Sequence, residues 1–104
     1  MSGDPYTVIA QPPNVADYCH LRAATGLSPK TTEAAAQGLA GTWFGVSVLY
    51  EDRVVGTGRI IGDGGCFFQI VDIAVLPEHQ GQGLGKRIMQ ALVAYLEQHA
   101  PPSA

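Results

Sequence analysis

Asp72-Ile73-Ala74-Val75-Leu76-Pro77-Glu78-His79-Gln80-Gly81-Gln82-Gly83-Leu84-Gly85-Lys86-Arg87 is the stretch on which the fold turns. Its first part is an apolar run that Pro77 halts, as expected of a strand whose ladder a missing N–H would break. Glycine then occupies every second position from Gly81 to Gly85. Beyond it, Leu84, Ile88, Ala91, Leu92, Tyr95 and Leu96 recur at helical spacing, which predicts an amphipathic helix from Gly83 to about His99, ended by Pro101-Pro102. A buried strand therefore runs through a glycine-rich turn into a helix N-terminus. The first turn of a helix leaves N–H groups without partners and carries partial positive charge, so an anion suits that position. Glycine lets backbone approach the anion without a Cβ in the way, and Lys86 and Arg87 add positive charge.

Upstream of this stretch the chain reads as more strands, then helices. Cys66–Leu76 forms the strand itself, entered through the turn Asp63-Gly64-Gly65. Trp43–Tyr50 and Val54–Ile61 flank the polar turn Glu51-Asp52-Arg53 and predict an antiparallel hairpin. Ahead of them, Ser28-Pro29 is a cap followed by proline at the first helical position, starting a helix that runs through the alanine-rich Glu33–Ala40 to Gly41. Asn14, with Asp17 three residues on, caps an earlier helix that Gly26 ends. Tyr6–Ala10 is a short strand stopped by Pro12-Pro13. The order is β-α-α-β-β-β-α, an α+β fold with helices packed on a mostly antiparallel sheet.

Composition narrows the class. With 104 residues the chain fits one domain, 1–104, and a chain of this size buries roughly 60–70% of its unfolded surface. Hydrophobic residues make up 46% and charged residues 14%, which excludes disorder. A net charge of −3 without a basic run argues against nucleic acid and anionic membrane as partners. No basic, apolar leader opens Met1-Ser2-Gly3-Asp4-Pro5, and no apolar run is long enough to span a bilayer. Cys19 and Cys66 match no metal-ligand spacing and read as reduced thiols of a cytoplasmic protein.

Two common phosphate motifs fail. A Walker A loop ending in Gly85-Lys86 needs glycine where Gln80 stands and Ser or Thr where Arg87 stands. The dinucleotide fingerprint, begun at Gly81 or Gly83, needs glycine at Lys86 or Ile88. The pattern Q/R-x-x-G-x-G/A does match, at Gln80, Gly83 and Gly85.

With the strand before it and the helix after it, that pattern resembles the GNAT superfamily of acetyl-coenzyme A-dependent N-acetyltransferases, over essentially the whole chain. The resemblance implies acetyl-coenzyme A as cosubstrate and no metal. It implies that amides of Gln80, Gly81, Gln82, Gly83, Leu84, Gly85 and Lys86 hold the coenzyme A pyrophosphate. Backbone of Ile73, Ala74 and Val75 would pair with the pantetheine arm, and an amide of that strand would polarise the acetyl carbonyl. A neutral amine, of a small molecule or an amino terminus, would attack the thioester directly.

The match also has gaps. In the family the sheet continues past the third helix, with a fifth strand, a tyrosine-bearing helix and two more strands; the chain stops at Ala104, so the expectation is a C-terminally shortened domain. Some members carry a carboxylate or histidine base on the fourth strand, where this chain has Gln69 and Val71. No general base or acid is identified. Asp72, which strict alternation puts on the face opposite Gln69, Val71 and Ile73, is expected to be a hydrogen-bonded structural carboxylate. His79 is expected to be a solvated loop residue, His20 and His99 structural, and Cys66 buried. Arg22, Trp43, Phe44 and Arg59 are expected to snorkel or pack in the core. The unpaired edge of strand 66–76 predicts a homodimer. Two alternatives stand beside the enzyme: an inactive relative that binds coenzyme A or self-associates, and an unrelated phosphate-binding domain.

Overall fold

A computed structural model describes residues 3–104 of the chain; of the N-terminal stretch searched for a leader, positions 1 and 2 lie outside it. The elements are β1 (Tyr6–Ile9), α1 (Val15–Ala24), α2 (Thr32–Ala40), β2 (Phe44–Tyr50), β3 (Arg53–Gly62), β4 (Phe68–Val75) and α3 (Leu84–His99), with a single 3-10 turn at Pro77–His79. The strands form one sheet in the order β1-β2-β3-β4, antiparallel throughout. The expected α+β architecture is the observed one.

Local chemistry sets the element ends, and in three places it differs from the sequence expectation. Asn14 caps α1 as expected, accepting from the Asp17 amide at 2.8 Å. The cap of α2 is Thr31, which accepts from the Ala34 amide, and Ser28-Pro29 starts nothing. Ser28 is engaged by Arg22 instead, its carbonyl accepting from Nε at 2.7 Å and its hydroxyl from Nη2 at 2.9 Å. The β2–β3 hairpin turns in two residues, Glu51 and Asp52, both left-handed at φ 51° and 64°. That mirror-image turn follows the right-handed twist of the strands, so β3 begins at Arg53, opposite Tyr50, one residue earlier than expected.

The third difference is at the start of β4. The Asp63 carboxylate accepts from the amides of Gly65, Cys66 and Phe67. These bonds hold 63–67 as a turn, so β4 begins at Phe68 and Cys66 lies in the turn, exposed rather than buried.

The sheet buries its two faces differently. On one, Leu84, Ile88 and Leu92 of α3 pack on Val46, Val48, Val55 and Ile60. Gly58 lets that helix approach, because a Cβ there would sit 2.5 Å from Ile88 Cγ2. On the other face α1 lies against β3 and β4, with Tyr18 and Leu21 buried, and α2 packs on α1.

Candidate functional site

The strand β4 is not regular. Thr57 pairs with Ala74 and Arg59 with Val71, so Gly58 alone stands opposite two residues, Asp72 and Ile73. Asp72 is the bulged residue, at φ 61°. The extra residue breaks the alternation: Ile70, Ile73 and Val75 all pack toward α3. Asp72 consequently shares the α1 face with Val71 and Gln69, and lies opposite Ile73 only. The bulge has no sequence signature of its own, which is why strict alternation misassigns this face.

On that face the Asp72 carboxylate has three donors. Oδ2 accepts from Tyr18 Oη at 2.7 Å and from Arg59 Nε at 2.9 Å, and Oδ1 accepts from Arg22 Nη1. Arg59 is further held by the Gly38 carbonyl and the Thr42 hydroxyl, and Arg22 by Ser28. Neither arginine snorkels; both are buried, at 7% and 6% exposure, because each guanidinium has found fixed acceptors. The Tyr18 ring lies beside both, 5.4 Å from Arg59 Cζ and 5.8 Å from Arg22 Cζ. Burial, followed by its hydrogen bond to Asp72, pushes the Tyr18 phenol above the usual tyrosine range.

At the sheet edge, ladder parity decides which backbone groups of β4 are open. In an antiparallel pair, opposed residues alternate between facing the partner strand and facing away. Leu76 donates its amide to the Val55 carbonyl at 2.9 Å, so Leu76 and Ala74 face β3. Ile73 and Val75 therefore turn their backbone N–H and C=O to the open edge. The Val75 carbonyl accepts there from Gln80 Nε2 at 3.0 Å, which ties the end of the strand to the loop beyond it.

That loop leads into α3 through Gly81 and Gly83, left-handed at φ 81° and 77°, a conformation that glycine adopts without the strain a Cβ would bring. Gly83 is the cap and supplies no side-chain acceptor. Among the described residues, no protein acceptor takes the amides of Gly81, Gln82, Gly83, Leu84, Gly85 or Lys86. Gly85 lies in ordinary helix, and a Cβ there would meet nothing within 4 Å. Nothing in the protein itself therefore requires glycine at 85. His79 is not merely solvated: its Nδ1 lies 2.9 Å from Tyr6 Oη, and its ring packs on Tyr6 and Tyr50. Arg87 pairs with Asp4 at 2.9 Å.

An acetyltransferase (GNAT) family model matches residues 10–100. The chain belongs to the GNAT acetyltransferase family. Among solved GNAT-like structures, a protein of meticillin-resistant Staphylococcus aureus designated a probable acetyltransferase is 46% identical, with a TM-score of 0.89; the match covers 95% of this chain and 74% of that one. A GNAT family protein of Streptococcus pneumoniae is 30% identical with a TM-score of 0.76, over 88% of this chain and 68% of that one. A GNAT family acetyltransferase of Elizabethkingia anophelis with acetyl-coenzyme A bound shares the fold, at 20% identity and a TM-score of 0.66, over 92% of this chain and 60% of that one. Comparison with curated proteins gives no match.

Two features of this GNAT chain escaped the sequence reading. The Arg22–Asp72–Arg59 cluster joins residues far apart in the chain, and only three sparse charges in apolar segments hinted at it. The bond from Gln80 to Val75 was equally invisible. Among the described residues, no group of three or more His, Cys, Asp or Glu is placed to hold a metal. Among the same residues, no helix is long and apolar enough to cross a membrane.

Proposed function

We propose that this chain binds acetyl-coenzyme A across the open edge of β4 and the mouth of α3, and transfers the acetyl group to an amine. The observation that carries this is the run of amides from Gly81 to Lys86 without a protein acceptor, opened by glycines. Unpartnered helix-terminal donors favour a diphosphate, and the lack of any internal need for glycine at 85 fits close approach of a ligand. Lys86, exposed at the same turn, adds charge. Gln80, Gly81, Gln82, Gly83, Leu84, Gly85 and Lys86 would hold the pyrophosphate, and backbone of Ile73, Ala74 and Val75 would meet the pantetheine arm.

In the reaction the acceptor nitrogen attacks the thioester carbonyl, the C–S bond breaks, and coenzyme A leaves as the thiol, taking up the proton the amine gives. A free amide at Ile73 or Val75 is suited to stabilise the carbonyl oxygen as charge develops. The acceptor is a small-molecule amine or an amino terminus. Calorimetric titration with acetyl-coenzyme A is expected to give saturable heat; no heat at millimolar ligand would reject the proposal.

A second reading is favoured by one observation. Along the described length of β4 the only titratable side chain is Asp72, and it is committed to two arginines. A coenzyme A-binding or self-associating module without turnover fits that edge as well. Thiol release over a panel of amines separates the two, since turnover requires the enzyme and saturable binding without turnover the module.

A further inference from the structure

We infer that Asp72 is a positioning residue for the acyl-pantetheine arm: its carboxylate holds the bulge that turns the backbone of Ile73 and Val75 to the open edge. The inference rests on the acetyl-coenzyme A reading above and extends it to a side chain that touches neither cosubstrate nor reacting atoms.

The bulge is not self-supporting. A left-handed backbone is unfavourable for a residue with a Cβ, although aspartate tolerates it better than most. What keeps Asp72 there is its side chain, gripped by Tyr18 and Arg22 from α1 and by Arg59 from β3. Both arginines are anchored at second points, Arg22 on Ser28 and Arg59 on Gly38 and Thr42. The carboxylate therefore cannot swing without breaking contacts to elements on either side.

The register gives this grip a consequence at the edge. With the bulge, Val71 and Ala74 both face β3, and Ile73 and Val75 face outward. Counted from Val71 without the extra residue, alternation would turn Ile73 and Val75 toward β3 and Ala74 outward. One relaxed residue thus exchanges the donors on offer at the edge. The glycine turn lies beyond β4 and forms its own donor row, so the diphosphate end of the ligand does not depend on the bulge in the same way.

The two ends of the ligand supply the test. Asp72→Asn keeps the tolerance for left-handed backbone but removes the charge that both guanidiniums grip. Acetyl-coenzyme A and ADP, which carries the diphosphate but no pantetheine, are titrated into the full chain by NMR, with circular dichroism confirming the fold at low temperature. Expected is a loss of about tenfold in acetyl-coenzyme A affinity, the worth of one or two misplaced hydrogen bonds, with ADP affinity unchanged. Unchanged affinity for both ligands, or an equal loss for both, overturns the inference. If Asp72→Asn does not fold, Tyr18→Phe decides. It removes one donor to Asp72 and leaves both ion pairs, and the same selective pattern is expected at about two- to threefold; no selectivity overturns the inference. Wild-type chain that binds neither ligand removes the underlying reading instead, and the inference with it.

Discussion

At the scale of the residue, the buried charges and the cradle glycines make opposite kinds of prediction. Arg22 and Arg59 share one carboxylate in a nearly dry environment, so its loss leaves two guanidiniums short of an acceptor. Asp72→Ala is expected to cost about 3–5 kcal/mol, the usual penalty for breaking a buried pair. That is a large part of the roughly 5–15 kcal/mol of a typical domain, and a urea midpoint shift measures it. Gly85→Asp should separate stability from binding. An acid in the first turn of α3 favours the helix by about 0.3–1 kcal/mol and meets no steric obstacle. The same acid repels a diphosphate, so acetyl-coenzyme A affinity is expected to fall by at least about tenfold, while the melting temperature holds or rises. Equal affinity in calorimetry would move the diphosphate elsewhere.

At the scale of the element, ends are decided by single side chains, and one of them titrates. Backbone hydrogen bonds from Gly65, Phe67 and Cys66 hold the Asp63 carboxyl below its ordinary value. A depressed carboxylate contributes stability above the unfolded value of about 4, and that contribution is lost as pH falls through the lower folded value. The turn 63–67 is thus expected to loosen only in that acidic window. The amide signals of Gly65, Cys66 and Phe67 should shift together with a midpoint below about 4, and independent midpoints would contradict the shared carboxylate. The α3 helix presents the opposite case, a fit set by packing. Gly58→Ala would push a methyl to 2.5 Å from Ile88 Cγ2, with an expected loss of about 1–3 kcal/mol by overpacking, read from denaturant unfolding.

At the scale of the whole molecule, the open edge of β4 has two proposed occupants that use the same groups. A second copy pairing as a strand and a pantetheine arm would both take the outward amides of Ile73 and Val75. Self-association through this edge is therefore expected to weaken when ligand is added. Sedimentation velocity at micromolar protein should show a dimer that shifts toward monomer with saturating acetyl-coenzyme A. A dimer indifferent to ligand would place its interface elsewhere, and a clean monomer without ligand would remove the pairing altogether.

Amino-acid order alone carried the element sequence, because hydrophobic period, proline stops and caps act locally. It carried the family as well, because Gln80, Gly83 and Gly85 lie within one turn and their spacing is visible along the chain. The face of Asp72 and the partners of Arg22 and Arg59 were decided only by tertiary structure. A bulge follows from how two strands 13 residues apart at Arg59 and Asp72 share a register, and a three-way ion pair needs α1, β3 and β4 to meet. Neither leaves a periodic trace in the chain, since the forces that set them act between segments and not along one.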